Sequence, residues 1–152
     1  RMVPLTRTGV IFEISRALEN KKSDAAISLI DFQLERGENA ITIMRAAFIP
    51  TLRNLLAARR LCDAFNLKPT NFKEFTARIS SLPSYAAALI PLKKDGTPNA
   101  YPLFLAAQNA SKFKTERLKQ TLKECMKADK ALVSSSLDPR LILHRLAICS
   151  AS

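Results

Sequence analysis

Four lysines, Lys119, Lys123, Lys127 and Lys130, recur at intervals of four, four and three residues. On a helix this spacing lines one face with ammonium groups, which suits a polyanion or an acidic protein partner and equally describes a solvated helix face. Arg45, Arg53 and Arg60 fall within an arc of about 80° at about 100° per residue, so a second basic line is expected. Arg45 and Arg60 join the four lysines as candidate contacts for DNA or an acidic partner. Asp129 interrupts an apolar line of Leu118, Leu122, Cys125 and Leu132. A carboxylate on a packed face needs a cationic partner to offset its desolvation. Asp129 is therefore predicted to sit half-buried or buried in an ion pair with an arginine such as Arg53.

Bond-making chemistry has few candidates. The single histidine, His144, stands beside Arg145 with no nucleophile at a recognisable motif, so a catalytic triad is not expected. No glycine-rich loop ends in Lys-Ser or Lys-Thr, which leaves no cradle for nucleotide phosphates. Cys62, Cys125 and Cys149 are odd in number, widely spaced and set among apolar neighbours, the pattern of reduced thiols used as small core residues. One histidine and no Cys-x-x-Cys pair exclude the familiar zinc spacings. The expectation is a non-catalytic chain with no cofactor and no metal.

The chain of 152 residues is one domain's worth, and 47% of it is apolar. No apolar run reaches the roughly 18 residues of a membrane span, and no signal peptide is recognisable, so a cytoplasmic protein is expected. It begins at Arg1 and contains three glycines, which suggests a piece of something longer. The net charge of +11 is unevenly spread: residues 1–38 hold six charges of each sign, and from residue 39 onward 18 Lys and Arg face 7 Asp and Glu.

These side chains must be positioned by helices, because apolar residues recur every three or four positions and strand-like alternation is nearly absent. About seven helices are expected. The first covers 8–19 on a stripe of Val10, Ile11, Ile14, Ala17 and Leu18. The second, 23–36, opens on Ser23-Asp24 as a cap and stops at Gly37. A long helix over 40–66 must kink or divide at Pro50. In 67–101, Pro69, Pro83, Pro91 and Pro98 permit only short helices, at 71–80 and 84–90, with Lys93-Lys94-Asp95-Gly96 as an exposed turn. Helices follow at 102–111 and 115–134. The last opens with Asp138 as cap and Pro139 at its first position, and is apolar enough to pack deeply.

Taken in order, several short motifs resemble the delta subunit of the bacterial DNA polymerase III clamp loader. The strongest are Ala128-Asp129-Lys130-Ala131-Leu132 and Leu137-Asp138-Pro139-Arg140-Leu141 followed by Leu143 and Leu146. Upstream stand Val3-Pro4, Val10-Ile11-Phe12-Glu13, Ala25-Ala26 with Leu29-Ile30, Glu35-Arg36-Gly37-Glu38, Leu52-Arg53-Asn54-Leu55-Leu56 and Ala110-Ser111-Lys112-Phe113. The chain departs from the family at Val133, where lysine is usual, at His144, where an acidic residue is usual, and at Lys114, where serine usually caps. Its 67–101 stretch is also longer and richer in proline.

The resemblance implies an all-α collar domain over 8–152, with 67–101 as an irregular insertion and 1–7 as the end of a linker from an AAA+-like lid. It implies assembly with delta-prime and tau/gamma, and only indirect contact with primed DNA. In the family the sliding clamp is gripped by the N-terminal domain. The alternative from the charge pattern is a basic helical nucleic-acid-binding module.

Overall fold

The computed structural model describes residues 6–134 and 136–152. Val3-Pro4 and most of the expected linker lie outside them. Among the described residues the fold is all-α, with no strand and one isolated antiparallel bridge, Leu92 to Pro98. The helices are α1 (Arg7–Glu19), α2 (Ser23–Glu35), α3 (Ala40–Ile43), α4 (Ile49–Phe65), α5 (Phe72–Ser80), α6 (Ser84–Ala87), α7 (Ala100–Asn109), α8 (Thr115–Ser134) and α9 (Pro139–Ala151). A π turn, Met44–Phe48, carries α3 into α4, so they make about eight rods. No helix among the described residues is long and apolar enough to cross a membrane.

Local chemistry accounts for most boundaries. Thr6 caps α1 by accepting from the Gly9 N–H at 3.0 Å, and Asn71 caps α5 through the Glu74 N–H at 3.1 Å. Asp138 caps α9 through the Arg140 N–H at 3.0 Å, with Pro139 in the first turn as expected. The expected Ser23-Asp24 cap is corrected: Lys22 holds the cap position without a side-chain bond, and Asp24 sits inside the first turn, where its charge favours the helix dipole. The disturbance expected at Pro50 takes the form of the π turn that separates α3 from α4. Its ring would crowd the carbonyl four residues back and it has no N–H to donate, and the widened turn just before it shifts the bonding so that the Ile49 N–H donates to the Met44 carbonyl. In the proline-rich stretch, Gly96 turns at φ +87° while the Lys93 N–H donates to the Thr97 carbonyl at 2.8 Å.

The described residues form two compact units, one of them Arg53–Leu118 and the other the described residues on either side of that stretch. In the flanking unit, the first along the chain, α1 packs on α2, α2 on α9 and the π turn on α1. Its core includes Ile14, Ile30, Ile43, Met44, Phe48 and Leu143, each fully buried. In the second, Arg53–Leu118, α5 packs on α7. The Phe104 ring there meets those of Phe72 and Phe75 edge-on at 5.3 and 5.4 Å, over a core that includes Leu55, Leu61 and Leu103.

Candidate interaction surface

α8 sorts its residues by face. Thr121 and Cys125 are buried, whereas Lys123, Lys127 and Lys130 are exposed and Lys119 is half-buried. The lysine line therefore exists as a face. Glu124 dilutes it: its carboxylate lies 3.7 Å from the Lys127 ammonium and accepts from Gln120 at 3.2 Å. Desolvation pushes the Cys125 thiol up to about 12, so it stays protonated and packs as a small apolar group.

Asp129 is half-buried and holds a two-pronged bond to arginine, but the partner is Arg45 rather than Arg53. Arg45 Nε donates to Oδ1 at 2.9 Å and Nη2 to Oδ2 at 3.1 Å. Arg53 is exposed. Periodicity offered several arginines on one line, and the one that meets Asp129 lies in the π turn ahead of Pro50. Arg45, a candidate contact for DNA, thus has its guanidinium fork engaged within the fold. Arg60 is exposed on α4.

Two further ties join the first unit, and neither was singled out from sequence. Asp31 of α2 receives two groups from α9: Arg140 Nη1 at 3.0 Å and His144 Nε2 at 2.6 Å, both at Oδ1. Arg140 and His144 stand four apart on a helix, so one carboxylate can meet both. Arg7 and Glu38 make another pair, with Nη2 donating to Oε1 at 2.6 Å. In the second unit, Arg59 Nη1 donates to the Phe113 carbonyl at 2.8 Å and lies 3.4 Å from that of Ala110, while Nε donates to Asp63 at 3.1 Å. Sequence periodicity carried no sign of these long-range partners.

α9 is less deeply packed than expected. Leu143, Leu146, Ala147 and Ser150 are buried, but Leu141 and Ile148 are 63% and 58% exposed. The second unit also exposes Phe72, Tyr85 and Tyr101. A cleft of about 290 Å³ there is lined by Asn66, Leu67, Lys68, Glu74, Phe75 and Arg78. No cluster of three metal-ligating side chains occurs among the described residues. Such an arrangement can present charged and apolar faces to another macromolecule. No protein-family model, curated protein or solved structure matches the chain.

Proposed function

We propose that this chain is a helical assembly domain equivalent to the collar domain of a bacterial clamp-loader delta subunit. Its partners are then delta-prime and tau/gamma, it performs no reaction itself, and it serves the loading of a sliding clamp onto primed DNA in the cytoplasm. The support is that residues quoted for the resemblance tie elements of the fold together. Asp129 binds Arg45, Arg140 binds Asp31, Asp138 caps α9, and the carbonyl of Phe113 accepts from Arg59. Scattered short motifs thereby share one task, fixing how elements meet, which a domain presenting set surfaces to neighbouring subunits requires. The test is sedimentation velocity of the chain mixed with full-length delta-prime or tau/gamma. A complex is expected; tight DNA binding without subunit association would overturn the assignment.

One observation favours a second function, contact with single-stranded nucleic acid. The Arg53–Leu118 unit holds eleven Lys and Arg against four Asp and Glu and exposes the rings of Phe72, Tyr85 and Tyr101. Bases stack on such rings while the lysines neutralise phosphates. Binding of this kind falls steeply with salt, with a slope in log K against log salt of about −0.7 per phosphate neutralised. A fluorescent oligonucleotide titrated at several salt concentrations, with Tyr101→Ala as control, would detect it.

A further inference from the structure

We infer that the outward face of α9, built on Leu141, Arg145 and Ile148, is the docking face for a helix of a different protein chain, apolar with a carboxylate at its middle; this partner assignment rests on the assembly function proposed above. At about 100° per residue, Leu141, Arg145 and Ile148 lie within about 60° of one another. The buried residues Leu143, Leu146, Ala147 and Ser150 centre about 180° away. α9 is thus apolar on two opposite sides, with only one covered by its own unit. A helix with one solvated side normally carries polar residues there, as α8 does with Lys123, Lys127 and Lys130. Leu137, just ahead of α9, is exposed as well.

Charge identifies the occupant. Arg145 is exposed between Leu141 and Ile148 and pairs with none of the described residues. Were a second copy of this chain to pack antiparallel on the stripe, its centre would bring Arg145 against Arg145, in molecules already carrying +11 each. Like charges at the middle of a small apolar contact oppose that pairing. A helix with leucine-type residues flanking an Asp or Glu satisfies both the apolar area and the guanidinium, whose fork matches a carboxylate. A collar helix of delta-prime or tau/gamma is the occupant to test.

The experiment titrates the fluorescently labelled chain with full-length delta-prime and, separately, tau/gamma, reading anisotropy. Wild type is expected to bind at least one of them. The double variant Leu141→Asp/Ile148→Asp should weaken that binding at least about tenfold, and Arg145→Glu by about tenfold with Arg145→Lys within about threefold. All three sites are exposed, so circular dichroism should show unchanged helix content. Wild-type binding that neither the double variant nor Arg145→Glu disturbs would remove the docking face and leave the assembly function standing. No wild-type binding to either subunit would overturn both. A wild-type dimer that the double variant converts to monomer would overturn the hetero-partner in favour of a second copy.

Discussion

In the unit that contains α9, elements are joined carboxylate to guanidinium, Arg45 to Asp129, Arg140 to Asp31 and Arg7 to Glu38, with the His144 ring also on Asp31. In the Arg53–Leu118 unit, Arg59 and Arg78 tie elements together through backbone carbonyls, Arg59 to Phe113 and Arg78 to Phe65 at 2.9 Å, while the Arg59–Asp63 pair stays within α4. Composition explains the difference. Among its described residues the first unit has nine acidic residues for twelve basic ones, the second only four for eleven. With few carboxylates, guanidinium donors turn to carbonyls at and beyond helix ends, which lack intrahelical partners in any case. The second unit therefore relies on its aromatic cluster for cohesion and keeps more uncompensated charge.

The largest expected effect tests that reliance. Phe75→Ala removes a buried ring packed on Phe104 and should destabilise by about 4 kcal/mol in urea denaturation. Phe72→Ala, at the exposed end of the same cluster, should cost less than about 1 kcal/mol. Equal losses would mean that the cluster does not grade from core to surface.

A smaller effect separates the two kinds of tie. Arg59→Ala removes the bond to the Phe113 carbonyl together with the local Asp63 pair and should cost about 2 kcal/mol, of which only the smaller Asp63 share should shrink as salt is raised. Asp31→Asn weakens a half-exposed ionic cluster and should cost about 1 kcal/mol, shrinking as salt is raised from 0.05 to about 0.5 M. If the Arg59 variant proved the more salt-sensitive of the two, the comparison between the units would fail.

What could be read from sequence, and what could not, follows the reach of each interaction. The stripe of Val10, Ile14, Ala17 and Leu18, the stop at Gly37, the Asp138 cap and the turn near Gly96 are set within a few residues and were legible. Pro50 announced a disturbance, but its form as a π turn depends on which carbonyl the next free N–H finds. Asp129 announced a need for a cation, yet its partner lies 84 residues away, and His144 meets Asp31 across 113. Periodicity places residues on faces; it does not say which faces meet.

Glu19 is the carboxylate of the first unit that breaks the unit's pattern. Burial pushes it up to about 7 against the pull of Arg16, whose Nη1 lies 2.7 Å from it. Folded Glu19 keeps its proton between the ordinary carboxylate range and about 7, while the unfolded chain has lost its own. Stability from this group therefore falls as pH rises through that window. Glu19→Gln, always neutral, should gain on wild type between pH 5 and 8, by about 2 kcal/mol at most. A constant difference across that range would place Glu19 with the stabilising pairs.

The smallest effect lies at the ends of α1 and α2, which close by the same pair of bonds on different residues. After α1 the Lys21 N–H donates to Leu18 and the Lys22 N–H to Ala17; after α2 the Gly37 N–H donates to Leu34 and the Glu38 N–H to Gln33. The residue at the turn is left-handed in both, at φ +58° for Lys21 and +91° for Gly37. A Cβ at Gly37 would meet nothing within 4 Å, so Gly37→Ala isolates the backbone penalty and should cost about 1 kcal/mol. Lys21 already bears that penalty. Lys21→Gly should relieve it, but glycine also loosens the unfolded chain, so the net gain should be only about 0.5 kcal/mol. Paired thermal melts of the two variants should move in opposite directions. A loss at Lys21→Gly would mean that the lysine side chain contributes more at this turn than its strained backbone costs.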